Sequence, residues 1–293
     1  MRGGALGDLL LTLPVLDAIR AKFAESFLEV WGIQPQAGLI QSADRIARLD
    51  APDVAPLFIS GPITPGLQRR LREFDIAISF LSDPDGVAGE NLASAGVQRI
   101  ITCSPIMRPG VHAVYRLAAA LEPLGVELHN PVPRLKLDGI QKHESLLGFH
   151  PGSGSRLKNW PLERWSELVE KMAPRFERLL LIAGEADREA VPFFQRRYGS
   201  FLEIMFCPNL WDLARALSRC TVFLGHDSGV THLAAAVNTA TIALFGPTDP
   251  GVWRPLGDQV EIIRGEGGRM DAISVSAVRH GVASIHYTIT ANG

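Results

Sequence analysis

The stretch Arg2 to Pro14, RGGALGDLLLTLP, constrains the fold of this chain more than any other. A glycine-rich turn ending in Gly7-Asp8 and running into an apolar helix normally follows a buried β-strand, and here only Met1 stands before it. Either the first strand of an α/β sheet is missing from this chain, or the turn has no strand to cap. In a doubly wound sheet the first strand is central, so its loss removes two ladders of hydrogen bonds and exposes an apolar slot. A start of translation assigned too late is the expected explanation, and a true truncation is the alternative. Within the turn, Gly3, Gly4 and Gly7 permit positive φ and close approach of another group. Asp8 sits where the helix begins, which makes it either a helix cap or a reacting carboxylate.

A length of 293 residues suggests about two domains, and 46% hydrophobic content with 28 glycines and 20 prolines describes a globular chain with many turns. The net charge of -2 offers no global field for nucleic acid or an anionic membrane. Cys103, Cys207 and Cys220 are far apart and lack C-x-x-C spacing, which argues against a disulfide framework or a zinc knuckle and fits a reducing compartment. No run approaches the ~18 apolar residues of a membrane span, and no signal-peptide pattern opens the chain. The expected location is the cytoplasm.

Along the first half, helical and extended patterns alternate. A helix is predicted over Leu9 to Phe23, an extended segment at Phe27 to Gly32, and helical patterns in AGLIQSADRIARL and LQRRLREF. Apolar strands follow at Ile76 to Leu81 and Arg99 to Cys103, then the helical HAVYRLAAALEPLG. NPVPRLKLDG (Asn130 to Gly139) is proline-rich and aperiodic, as a linker is. A second run of strands follows at Leu146 to His150, Leu179 to Ala183, Val222 to His226, TIALFG and VEIIRG, with helices at Leu162 to Met172, Leu210 to Arg219 and Thr231 to Val237. The pattern predicts two doubly wound domains, residues 1–137 and 138–293, with a cleft between them. The ending shows no helical period after Ile285.

Two loops of the second half carry the chemistry of anion binding. HPGSGSRLKNWP (His150 to Pro161) leaves a strand, passes small residues and presents Arg156 and Lys158 before a helix; it is either a phosphate cradle or an ordinary turn. GHDSGVTHLAAA (Gly225 to Ala236) delivers Asp227, Ser228 and Gly229 to a helix start, where free N–H groups and the helix dipole attract an anion. His232 lies one turn further on, as a ligand or as a packed histidine. FGPTDPGVWRP is a third tight loop, able to close the same pocket or simply to turn the chain. Asp83-Pro84-Asp85-Gly86 has the D-x-D form of metal-dependent sugar transferases but reads better as a turn. Arg69, Arg70 and Arg72 either meet phosphates or line a solvated helix face.

Five of these segments, taken in order, resemble glycosyltransferase family 9, best known for ADP-heptose:lipopolysaccharide heptosyltransferases. They are RGGALGDLLLTLPVLDAIR, HAVYRLAAALEPLG, HPGSGSRLKNWPLERWSEL, LIAGEADRE and GHDSGVTHLAAAVNTATIALFGPTDP. The resemblance implies a GT-B architecture of two Rossmann-like domains facing across a cleft: an N-terminal acceptor domain and a C-terminal domain holding the nucleotide sugar. It implies an inverting transfer of heptose, or a related sugar, from an ADP-sugar to a hydroxyl of a lipopolysaccharide core or similar lipid-linked glycan. Neither a cofactor nor a metal is expected, and membrane contact is at most peripheral, on the cytoplasmic face of the inner membrane. Carried over by residue, the general base falls on Asp8 and the phosphate-binding lysine on Lys158. Ser153, Asp227, Ser228, Gly229 and His232 complete the nucleotide site. Within GEADRE, Glu185, Asp187 and Glu189 are candidates for the ribose, with Asp187 preferred. The alternative is a degenerate relative that binds nucleotide or glycan without turnover.

Overall fold

The computed structural model describes residues 1–139, 145–184, 187, 190–206 and 209–292, with side chains through residue 285. The chain divides into two compact units, Met1–Pro131 and Val132–Gly293, which meet inside the proline-rich stretch. Residues 132–137 go with the second unit, where Leu135 is buried and donates its N–H to the Ala236 carbonyl.

In the first unit β1 (Glu29–Gly32) pairs in parallel with β2 (Arg45–Arg48), and β3 (Ile76–Ser79) pairs in parallel with β4 (Arg99–Thr102). Arg2 joins the two pairs, bridging Gly32 on one side and Phe80 on the other, both in parallel. Met1 and Arg2 thus occupy the end of the central strand position that the glycine turn requires. The Arg2 N–H donates to the Trp31 carbonyl at 2.8 Å, and the Met1 carbonyl accepts from Phe80 N–H at 3.0 Å.

The predicted Leu9 to Phe23 helix is two helices, α1 (Leu6–Leu10) and α2 (Leu13–Lys22). Pro14 cannot donate to a preceding turn, so the ladder restarts there. The Thr12 hydroxyl takes up the Asp8 carbonyl at 2.8 Å. AGLIQSADRIARL is not helical beyond a 3-10 turn at Gln36–Leu39; its end is β2. Four residues are too few for period alone to separate helix from strand, and tertiary pairing decides. Asp44 accepts the Leu28 N–H at 2.7 Å, and Arg45 reaches Glu29 with a 2.8 Å bond.

Helices α3 (Pro65–Leu71) and α5 (Ala113–Ala118) follow the sequence pattern, and α4 (Val87–Ala95) lies between β3 and β4 in the chain. Leu67 and Leu71 of α3 and Leu92 and Ala95 of α4 pack with Trp31 and Val54 in one core. Asp83 caps α4, accepting from Ala88 and Gly89 N–H at 3.2 and 2.9 Å, which is the structural use of the D-x-D triplet. Two of the three clustered arginines are also internal ties. Arg70 pairs with Glu29 and lies 4.6 Å over the Trp31 ring, while Arg72 donates to the Ala95 carbonyl.

The second unit holds a six-stranded, all-parallel sheet in the order β10-β9-β8-β5-β6-β7. Its strands are β5 (Leu146–His150), β6 (Arg178–Ala183), β7 (Leu202–Phe206), β8 (Val222–His226), β9 (Ala240–Phe245) and β10 (Val260–Arg264). β5, β8 and β9 are buried at every residue, as central strands of a parallel sheet covered on both faces must be. The helices are α6 (Leu162–Met172), α7 (Ala190–Tyr198), α8 (Leu210–Arg219), α9 (Gly229–Ala236), α10 (Pro250–Trp253) and α11 (Val275–Asn292). Val275, Val278 and Val282 put α11 into the core with Trp160 and Trp165. The helix continues to Asn292 where the sequence showed no period, a correction, because its earlier turns are already anchored. Among the described residues no helix is long and apolar enough to cross a membrane.

The Glu29 side chain is fully buried between Arg45 and Arg70, both partly exposed. Glu29→Gln should therefore lower unfolding stability by about 1–3 kcal/mol, less than for a wholly buried triad because solvent screens the arginines. Chemical denaturation of the variant beside the parent measures it.

Candidate functional site

In a parallel sheet all carboxyl ends lie on one edge, and ligands settle where the strand order reverses direction. In the second unit that point lies between β5 and β8, since β6 and β7 extend to one side and β9 and β10 to the other. Both anion-type loops leave the sheet there, one after His150 and one after His226.

His226, wholly buried, fixes their geometry. Its Nε2 accepts the Trp160 N–H at 2.9 Å, so Nδ1 carries the ring proton and donates to the Gly152 carbonyl at 3.3 Å. Burial pushes this imidazole down to about 3, and the Gly152 carbonyl opposes the shift. The loop from Gly152 to Trp160 is tied at both ends to the last residue of β8. Inside it the Ser153 hydroxyl lies 2.6 Å from Asn159 Oδ1 and 2.7 Å from the Ser155 carbonyl, and it accepts from Ser155 N–H. Ser153 is thus committed to shaping the loop.

The loop closes with a 3-10 turn at Arg156–Lys158, which carries Lys158 to Asp227. Lys158 Nζ donates to Asp227 Oδ2 at 2.7 Å; the lysine side chain is 29% exposed and the aspartate 10%. Ser228 is the N-cap residue of α9. The Thr231 hydroxyl donates to the His226 carbonyl at 2.6 Å and stands 3.2 Å from Ser228 Oγ. Gly225 permits this packing, because a Cβ there would meet Thr231 Oγ1 at 2.4 Å. The first N–H groups of α9 and the Lys158 ammonium therefore belong to one local site, beside a carboxylate that holds the ammonium in place. His232 is buried one turn into α9.

The Asp187 side chain is 1% exposed, accepts the Gly184 N–H at 2.8 Å and lies 3.2 Å from His150 Nε2. A Cβ on Gly152 would meet its Oδ1 at 2.2 Å, so the carboxylate packs under the loop. Glu185 and Glu189 lie outside the described residues. Asp249, in the third loop, caps α10 through Gly251 N–H at 2.9 Å.

In the first unit the Asp8 carboxylate is held by two partners. Its Oδ2 accepts the Ala5 N–H at 3.0 Å, as a helix cap does, and its Oδ1 receives Arg2 Nη2 at 3.2 Å, with the side chain 31% exposed. Arg2 is itself buried and spans from Asp8 to the Phe80 carbonyl. Gly4 takes φ +102, and a Cβ there would meet Asp8 Oδ2 at 2.7 Å. The glycine turn is thus built around this carboxylate, which keeps one face to solvent. Sequence reasoning missed Arg2, His150 and His226 as ties; the place of both histidines at strand ends was the available signal.

The chain is similar to known proteins in sequence and in fold. The profile of glycosyltransferase family 9 (heptosyltransferase) matches residues 94–277. Lipooligosaccharide heptosyltransferase 2 of Haemophilus influenzae is 33% identical over 127 residues, which cover 41% of this chain and 36% of that protein. The chain thus matches little more than a third of the length of that curated relative. Among solved structures, the glycosyl transferase family 9 protein from Veillonella parvula superposes with a TM-score of 0.78 at 20% identity, covering 98% of this chain and 96% of the other. The E. coli heptosyltransferase WaaC with ADP gives 0.72 at 20% identity, covering 97% and 100%. At such identity the likeness fixes the fold, which is GT-B.

A neutral His226 has a measurable consequence. Unfolded, the ring takes up a proton near pH 6.5; folded, it does so only near 3. Its contribution to stability is whole above pH 6.5 and is lost as pH falls toward 3, at up to about 1.4 kcal/mol per pH unit. Nitrogen NMR shifts of the ring should report the Nδ1–H tautomer unchanged from pH 7 to 4.5; protonation above pH 6 contradicts the assignment.

Proposed function

The chain belongs to glycosyltransferase family 9, and we propose that it moves a heptose, or a related sugar, from an ADP-sugar to a hydroxyl of a lipopolysaccharide-core-like acceptor, with inversion and without a metal. The observation that carries the proposal is the Lys158–Asp227 pair at the start of α9, a fixed cation beside free helix N–H groups at the switch point of a parallel sheet. A departing nucleoside diphosphate gathers negative charge, and this is the equipment that receives it. The ADP and heptose parts of the proposal draw on a relative solved with ADP and on the heptosyltransferase names of the relatives.

In the proposed reaction the acceptor oxygen bonds to the anomeric carbon while the bond from that carbon to the diphosphate oxygen breaks. The electron pair leaves on the diphosphate, where Lys158 and the N–H groups beginning at Gly229 offset its charge. The acceptor proton passes to the Asp8 carboxylate. Arg2 and Ala5 N–H hold that carboxylate in one orientation with a solvent face for the acceptor. Asp227 acts through Lys158, fixing its ammonium, and Ser153 acts through the shape of its loop. The proposed setting is the cytoplasm, with peripheral contact at the inner face of the inner membrane.

Asp8→Asn keeps a cap for Ala5 N–H but cannot take the proton. It should lower transfer by roughly 10²–10³-fold with ADP affinity unchanged by calorimetry. Loss of ADP binding in that variant contradicts the division of roles. Lys158→Ala should weaken ADP binding about tenfold or more and slow transfer further. In titrations of the parent, ADP should bind more tightly than GDP or UDP. ADP binding with neither sugar transfer nor donor hydrolysis would instead establish the alternative, a binding relative without turnover.

A further inference from the structure

The large apolar side chains that the first unit exposes gather mostly on one edge of its sheet. β1 with β2, β3 with β4, and Arg2 with both Gly32 and Phe80 are all parallel, so every strand ends on the same side. Three segments leave those ends toward helices: the glycine turn with Asp8, the stretch from β2 to α3, and the stretch from β4 to α5. In the second, Ile59 is 62% exposed and Phe58 is exposed beside it. In the third and the start of α5, Ile106 is 65% exposed, and Val111 and Tyr115 are exposed too. Phe27 and Ile76 are the other exposed large apolar residues of this unit, and both stand at the opposite edge, where strands begin. Apolar side chains gathered in this way mark a surface that something covers.

The backbone holds these side chains out. The buried Asn91 of α4 donates through Nδ2 to the Leu57 and Ile59 carbonyls at 3.0 Å and to the Pro56 carbonyl at 3.3 Å. Pinned there, the segment buries Leu57 and leaves Phe58 and Ile59 in solvent. In the other segment Ser104 Oγ accepts the Ile106 N–H at 3.2 Å, and His112 Nδ1 caps α5 by accepting the Val114 N–H at 3.3 Å. The His112 ring stands edge-on to Tyr115 at 6.4 Å between centroids. The strand order β2-β1-Arg2-β3-β4 sets the Asp8 turn between the two loops.

Their charge is one-sided. Residues 54–72 and 100–121 contain no Asp or Glu, although the chain has 31, and their charged residues are all arginines. Arg70 and Arg72 are internal ties, whereas Arg108 is exposed within the loop that carries Ile106 and Val111. The rim of a protein interface is polar, and a solvated loop carries both signs. Aliphatic and aromatic side chains with arginine and no carboxylate suit the boundary of an anionic bilayer.

We propose that this edge of the first unit is a lipid-facing surface. Phe58, Ile59, Ile106, Val111 and Tyr115 enter the headgroup region of a bilayer, and Arg108 meets its phosphates. The proposal rests on the lipid-linked acceptor of the proposed reaction, and adds which face of the first unit meets the membrane. Asp8 then stands between the two contacts, at the level of a headgroup, and a lipid-linked hydroxyl reaches it without leaving the bilayer.

Sedimentation with vesicles tests this, using phosphatidylethanolamine mixed with phosphatidylglycerol and, separately, phosphatidylcholine alone. The parent should bind the anionic vesicles, and bind phosphatidylcholine more weakly. Ile59→Ser combined with Ile106→Ser should weaken binding to the anionic vesicles about tenfold or more. Arg108→Glu should remove the preference for anionic lipid. Phe27→Ser, on the opposite edge, should bind as the parent does. All four positions are exposed, so ADP affinity by calorimetry should be unchanged in every variant. Failure of the parent to bind, binding that survives the double variant, a preference that survives Arg108→Glu, or equal loss in Phe27→Ser overturns the proposal. So does a concentration-dependent dimer that the double variant dissolves while vesicle binding persists, which would make this face an interface between copies. Vesicle binding is read without nucleotide or acceptor, so its failure is distinct from failure of ADP binding or sugar transfer.

Discussion

His226 bonds through both ring nitrogens, to Trp160 N–H and to the Gly152 carbonyl, and those two contacts hold the ends of one loop against the end of another. The bond from Trp160 requires the neutral ring, because a protonated imidazole has no acceptor for its N–H. Burial supplies that condition, and the edge of the Trp165 ring packs against the imidazole at 5.4 Å between centroids. The loop held this way, between Gly152 and Trp160, carries Lys158 to Asp227. The hydrophobic core of the second unit thus acts on the site through one titratable group kept from titrating.

A comparable economy governs the first unit. Arg2 is buried, yet its guanidinium is occupied by the Asp8 carbonyl, the Asp8 carboxylate and the Phe80 carbonyl. The residue that closes the sheet between β1 and β3 also orients the carboxylate of the glycine turn. Sheet closure and acid placement are one structural event, so a perturbation of that closure is felt at Asp8. Glu29 secures the β1 side by pairing with Arg45 of β2 and Arg70 of α3.

Much of this was legible in the sequence, for identifiable reasons. Buried parallel strands leave continuous apolar runs, and glycine-rich loops before helices mark strand ends, so β5, β8 and the loops after them could be read directly. What failed were segments decided by partners distant in the chain. RIAR is a strand because β1 lies beside it, and Arg70 is an internal tie because Trp31 and Glu29 lie beneath it. The burial of Asp187 beside Gly152 and His150 likewise depends on residues distant in the chain. Residue type announces chemistry, whereas burial is a property of the assembled sheet.

The Lys158–Asp227 pair has a consequence for electrostatics at the switch point. A lysine held 2.7 Å from a carboxylate brings little net charge, so the attraction of an anion to the site falls largely on the N–H groups at the start of α9. The pairing nevertheless fixes where the ammonium stands before a ligand arrives. A free lysine would lose rotamer entropy on binding, whereas this one has already lost it. Fixed dipoles and placed charges are worth most when charge develops in a reaction, because no reorganisation is needed at that moment. In the proposed reaction, Asp227 would therefore weaken ground-state attraction while sparing the cost of organising Lys158, an arrangement that would favour a departing diphosphate over a resident one.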